Sequence, residues 1–163
     1  MEGGQKERMN RLSRALILFI AQGAFSGRSP VAPGTAGTLV GILIYLGIKS
    51  SGLFLYSISA LLVCIAGVWS AGRAEKILGC KDCSSIVIDE IAGYLITMFL
   101  VPGGWGFIMA GFVLFRLFDI VKPWPLHGLQ KMNGGLGVML DDIGAGVYSN
   151  VLLQAGAYLM KHQ

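Results

Sequence analysis

Four stretches without a formal charge decide what this chain can fold into: residues 29–48, 50–72, 91–115 and 143–160 contain no Asp, Glu, Lys or Arg. About 20 consecutive apolar residues cross the hydrocarbon core of a bilayer as a helix. The third stretch holds the breaker VPGGWG at 101–106, so it reads as two short helices joined by a tight turn. The expected spans are about 35–48, 53–71, 90–101, 106–118 and 142–160.

Composition agrees. Only 13% of the 163 residues are charged and 54% are hydrophobic, against a usual charged share of about 25%. Gly occurs 24 times, and small residues let membrane helices approach closely. A soluble α/β protein with a glycine-rich core would explain the glycines but not the uncharged stretches. The expected fold is all-α, a polytopic membrane helix bundle of five short spans, or four, preceded by an interfacial helix. Arg8, Arg11 and Arg14 stand before an apolar run at 15–21, superficially like a secretion signal. No small-x-small cleavage site closes that run, so 12–25 reads as the interfacial helix. The chain then divides into a basic N-terminal segment, 1–25, and a single membrane-embedded domain, 26–163. Cys64 falls inside a span. Cys80 and Cys83, in CKDC, lack the further thiols or histidines that a zinc site needs, and read as solvent-side thiols in a reducing cytoplasm.

With a cytoplasmic N-terminus, Lys6, Arg8, Arg11, Arg14, Arg28, Arg73, Lys76, Lys81, Arg116, Lys122 and Lys131 fall inside, and only Lys49 and Lys161 outside. Such a bias sets orientation. All 9 acidic residues, Glu2 and Glu7 among them, fall on the same inner side, although acids contribute little to orientation. No ionisable residue lies at a midplane, which argues against a proton relay or an ion pathway.

Five carboxylates gather at three helix ends on that inner face. Asp89 and Glu90 open the third span, Asp119 closes the fourth, and Asp141 and Asp142 open the fifth. An acid at a helix N-terminus is favourable by about 0.3–1 kcal/mol, which would account for Asp89 or Asp141 alone. It does not account for two adjacent pairs, or for Asp119 at a C-terminal end. Hard oxygen donors without His or Cys suit Mg²⁺, so the five are candidate metal ligands. FRLFDIVKPWP, 115–125, sets Arg116, Asp119 and Lys122 three residues apart, close to one helix face. Arg offers a fork for phosphate oxygens and Lys a point charge. SGRSPVAPGTAGT, 26–38, adds Ser29, Thr35 and Thr38 at the start of a span, where free N–H groups favour an anion. It lacks the order of a nucleotide-binding P-loop, so ATP is not implied. GGLGVMLDDIGAG, 134–146, reads as a flexible glycine-rich lead, the acid pair, then small residues packing the last span.

Together these four segments resemble the phosphatidylglycerophosphatase A family over roughly residues 26–160. The family's loop stands as Ser29, Pro30, Pro33, Gly34, Thr35, Gly37 and Thr38, and its acidic helix start as Asp89 and Glu90 with Gly93. Its arginine–aspartate run stands as Phe115, Arg116, Asp119, Lys122, Pro123 and Pro125, and its last run as Gly134, Gly135, Gly137, Asp141, Asp142, Ala145 and Gly146. The resemblance implies a Mg²⁺-dependent phosphatase of the bacterial inner membrane, with its site on the cytoplasmic face. Such an enzyme hydrolyses phosphatidylglycerophosphate to phosphatidylglycerol in phospholipid biosynthesis. Its expected partners are the membrane and a phospholipid substrate, with no nucleic acid.

No nucleophile motif is visible, so metal-activated water attacking in line is expected. Asp89, Glu90, Arg116, Asp119 and Asp142 would be the catalytic set, and Ser29, Thr35, Thr38, Arg116 and Lys122 would meet the phosphate. Two alternatives stand beside this. Another Mg²⁺-dependent lipid phosphotransfer enzyme, such as a CDP-alcohol phosphotransferase, would need a motif that is missing. A non-enzymatic divalent-cation binder or transporter would leave the Arg116 and Lys122 pairing without a purpose.

Overall fold

The structure is a computed structural model and describes residues 2–129 and 132–162, with side chains from Asn10 onward. Glu2, Lys6, Glu7, Arg8 and Lys131 of the inner-side set lie outside the described side chains. Among the described residues every regular element is helical. They are α1 (Glu2–Ala21), α2 (Pro33–Ile48), α3 (Leu53–Leu78), α4 (Ile88–Thr97), α5 (Trp105–Val121), the single turn α6 (Leu126–Leu129) and α7 (Gly135–Lys161).

The breakers act where they stand. Gly52 at φ 85° separates α2 from α3, and Gly104 at φ 132° precedes α5, conformations open to glycine. The expected interfacial helix, 12–25, is instead helical over 2–21. Gly23, Ala24 and Phe25 all take positive φ, which ends α1 early.

Two helices, α3 and α7, are long and apolar enough to cross a bilayer. The other three expected spans are shorter: 16 residues in α2, 10 in α4 and 17 in α5. At 1.5 Å per residue these reach about 24, 15 and 26 Å, against a hydrocarbon core of about 30 Å. The α4 helix stops at Thr97, not at 101, because the Asn150 amide of α7 donates to Thr97 O (3.0 Å) and Phe99 O (2.7 Å). Those carbonyls need no further helical turn.

Only 17% of the apolar window of α3 is buried within the protein, and Leu55, Leu61, Leu62 and Ile65 stand exposed along it. An outward apolar face of this length suits lipid, not the core of a soluble domain. The polar content lies inward. α4 packs against α2, α3, α5 and α7, and eight of its ten residues are buried.

The crossing of α4 over α7 sets the position of everything that follows. A Cβ added to Gly93 would lie 2.7 Å from Asp142 O, and one added to Gly146 would lie 3.3 Å from Gly93 Cα. The two backbones therefore touch. Gly93 is one turn beyond Asp89 and Gly146 one turn beyond Asp142, so this contact brings the two acids face to face.

Two further expectations change. Of the lead at 134–140, residues 135–140 are helix and not flexible loop, because Gly135 packs on α3, where an added Cβ would sit 3.0 Å from Gly72 N. Asp141 and Asp142 consequently lie about two turns inside α7. Cys80 and Cys83, expected as two thiols, are joined by a disulfide in the α3–α4 loop. The loop holds their Cα atoms 5.7 Å apart, within bridging range.

Candidate active site

Asp89, Glu90 and Asp142 offer one carboxylate oxygen each, all within 4.8 Å of one another. Asp89 and Glu90 occupy the first turn of α4, where Val87 N donates to Ala21 O (2.9 Å) and ties the start of α4 to the end of α1. Asp142 reaches them across the Gly93–Gly146 contact. Asp89 is 8% exposed and Asp142 3%. Three acids this close and this dry repel one another strongly. The site fits a hard divalent cation: its donors are all carboxylate oxygens, and Glu90 Oε2 is buried without a hydrogen-bond partner.

Asp119, on the last turn of α5, borders this group and acts by its charge on both Glu90 and Asp142. It also holds Arg116, whose Nη1 lies 2.7 Å from Asp119 Oδ2. The contact is an ion pair and not an aligned hydrogen bond, since Nη1 is buried with no hydrogen-bond partner. The guanidinium thus stands beside the Glu90 carboxylate, both facing Gly34 of α2, with donors to spare.

Asp141 goes elsewhere. Lys122 Nζ donates to Asp141 Oδ2 and stands 4.0 Å from Asp119 Oδ1. Burial alone would lower the Lys122 ammonium, but the hydrogen bond and charge of Asp141, with the charges of Asp142 and Asp119, outweigh it and hold its pKa above the ordinary value. Lys122 therefore stays cationic. Pro123 disfavours a helical conformation for the residue before it, and Lys122 takes φ 44° as the C-cap of α5. That turn swings it toward α7.

The 26–38 loop contributes less than expected. Thr38 is fully buried and donates to Gly34 O at 2.9 Å, so its hydroxyl serves the helix. Ser29 Oγ donates to Val31 O at 2.8 Å, which holds the loop. Thr35 is half-buried on the first turn of α2. Of the sequence candidates, the structure brings together Asp89, Glu90, Asp142, Asp119 and Arg116. Asp141 and Lys122 form a flanking pair, and Ser29 and Thr38 stay with the scaffold.

One network was not foreseen. Arg28 Nε donates to Gln22 Oε1 (2.8 Å) and Gln22 Nε2 to Ser85 Oγ (3.4 Å), while the Arg28 guanidinium lies 4.2 Å over the Phe25 ring. It fastens the loop before α2 to the segment leading into Asp89. A polar Gln22 closing an apolar run was the available signal.

The family model for phosphatidylglycerophosphatase A matches residues 19–157. A phosphatidylglycerophosphatase A of Escherichia coli is 40% identical over 136 residues, covering 82% of this chain and 79% of that protein. The Haemophilus influenzae protein of the same name is 35% identical over 147 residues, 88% and 90% of the two chains. A Bacteroides thetaiotaomicron protein named "Putative phosphatidylinositol-3-phosphatase" is 39% identical over 153 residues, 89% and 96%. No solved structure matches. The chain belongs to the phosphatidylglycerophosphatase A family of phosphatases.

Proposed function

We propose that the protein hydrolyses phosphatidylglycerophosphate to phosphatidylglycerol and inorganic phosphate, as a Mg²⁺-dependent enzyme of phospholipid biosynthesis. It would sit in the bacterial inner membrane with the site on the cytoplasmic face. The observation that carries this is the juxtaposition of three clustered carboxylates, Asp89 and Asp142 buried and Glu90 half-buried, with the Asp119-held Arg116, among helices whose outer faces are apolar. A lipid phosphomonoester brings its phosphate to the membrane edge, and a cation site flanked by a guanidinium is what such a group needs.

Asp89, Glu90 and Asp142 would hold the Mg²⁺, and Asp119 would border it. When bound, Mg²⁺ supplies charge for the phosphoryl oxygens and lowers the pKa of a coordinated water. Arg116 meets the non-bridging oxygens, and Asp119 keeps its guanidinium turned toward them. Lys122 adds positive charge at the rim, fixed by Asp141. Hydrolysis breaks the glycerol O–P bond and forms one from phosphorus to the oxygen of water; a carboxylate of the group takes the water's proton and passes it to the departing glycerol oxygen, which leaves as the hydroxyl of phosphatidylglycerol.

The Bacteroides relative's name favours a second substrate, phosphatidylinositol 3-phosphate, with the same chemistry. Phosphate release by the purified protein from each lipid in mixed micelles tests the choice. Turnover of phosphatidylglycerophosphate at least tenfold faster in kcat/KM supports the first reading, and the reverse order replaces it with the second.

A further inference from the structure

α2 carries four glycines, at 34, 37, 41 and 47, and they face three kinds of surroundings. A Cβ added to Gly47 would meet nothing within 4 Å. At Gly37 it would lie 2.6 Å from Val87 Cβ and 3.0 Å from Val87 O, and at Gly41 3.1 Å from Tyr94 Cβ and 3.4 Å from Ile91 Cα. Those two therefore face the rigid scaffold of α4. Gly34 is different. Its added Cβ would collide with Glu90 Oε1 and lie 3.0 and 3.2 Å from Arg116 Nη1 and Nη2. The atoms it meets are the tips of two side chains of the candidate site.

We infer that Gly34 is a positioning residue, whose missing side chain leaves the space in which the Glu90 carboxylate and the Arg116 guanidinium sit side by side. The inference rests on the phosphatase reading and adds to it a residue that touches neither metal nor substrate. The physics separates its role from ordinary packing. A clash with backbone or with Cβ atoms shifts whole helices, whereas a clash with the ends of Glu and Arg is relieved by rotating them. Alanine at 34 suits the first turn of a helix better than glycine does, by up to about 1 kcal/mol. The fold should therefore absorb Gly34→Ala while the site does not. Displacing reacting groups by about 1 Å can cost on the order of 100-fold in rate.

The test is a series of purified full-length variants: Gly34→Ala, Gly37→Ala, Gly47→Ala, Glu90→Asp and the double variant Gly34→Ala/Glu90→Asp. Each is measured for kcat and KM, for Tm in EDTA and for the rise in Tm with Mg²⁺. Gly34→Ala is expected to lose about 10- to 100-fold in kcat and most of its Mg²⁺-induced rise, with Tm in EDTA close to wild type. Gly37→Ala should lower Tm, with activity following the folded fraction, and Gly47→Ala should leave kcat unchanged with Tm at or slightly above wild type. Glu90→Asp shortens the carboxylate by one methylene, so the Gly34→Ala cost should shrink in that background. This is the coupling that contact predicts. Wild-type kcat and Mg²⁺ response in Gly34→Ala, or a Tm loss matching Gly37→Ala, overturns the inference. So does an additive double variant, which leaves the phosphatase reading standing if Glu90→Asp alone is impaired. Wild-type turnover in Glu90→Asp and in Glu90→Gln overturns the reading itself.

Discussion

Replacing Asp89 with Asn should stabilise the metal-free protein while destroying its activity. Asp89, Glu90 and Asp142 place carboxylate oxygens within 4.8 Å of one another. Two full charges at that distance repel by about 3 kcal/mol at an effective dielectric constant near 20. Asp89 faces two such neighbours, but proton sharing and relaxation within the group offset most of the repulsion. A net gain of about 1–2 kcal/mol for Asp89→Asn in EDTA is a reasonable expectation. For a chain of this size, 1 kcal/mol moves Tm by roughly 2–4 °C, so Tm in EDTA should rise by about 2–8 °C. The variant should also lose the Mg²⁺-induced rise shown by the wild type, and kcat should fall by about 100-fold or more. The assay is thermal unfolding in detergent with EDTA and over a Mg²⁺ titration, alongside phosphate release. If Asp89 were only a helix cap, Asn would serve nearly as well, with Tm, Mg²⁺ response and kcat all staying near wild type. A fall in Tm in EDTA would also refute the reasoning, because it would show the carboxylate to be stabilising where repulsion was argued to dominate.

Lys122→Met leaves Asp141, 4% exposed, without its ion-pair partner, at a cost of about 1–3 kcal/mol; Asp141→Asn in the same background should recover part of the lost Tm. Cys80→Ser with Cys83→Ser should leave kcat unchanged, since neither cysteine belongs to the carboxylate group. With the site cytoplasmic, a membrane-impermeant thiol reagent added from the periplasmic side should label Gly103→Cys and miss Gly134→Cys, both in a background lacking the native cysteines. The opposite labelling would invert the orientation.

The helical class and the grouping of acids were legible because both follow from one-dimensional signals. Uncharged stretches separated by Gly–Pro breakers give helices, and acids beside those breakers fall at one end of the bundle. Helix length was less legible. Nothing local to LITMFLVP says that Asn150, more than 50 residues away, will take the carbonyls of Thr97 and Phe99 and end α4 at ten residues. The split between Asp142 and Asp141 was hidden for a related reason. Asp141 and Asp142 point about 100° apart round α7, and the Gly93–Gly146 contact turns Asp142 toward Asp89 while Asp141 meets Lys122. Thr38 misled because a hydroxyl in a Gly/Pro loop looks like an anion donor, whereas in place it bonds back to Gly34 O. Gly34 itself read as turn chemistry, because what it makes room for comes from α4 and α5.

Phosphomonoester hydrolysis at the Asp89, Glu90 and Asp142 group should require a bound divalent metal. The most direct test is inorganic phosphate release from phosphatidylglycerophosphate by the purified protein, first stripped with EDTA and then titrated with Mg²⁺. No turnover in EDTA is expected, with full recovery on adding Mg²⁺ and no recovery in Asp89→Asn, Glu90→Gln or Asp142→Asn. Undiminished phosphate release from the metal-free protein would contradict the account.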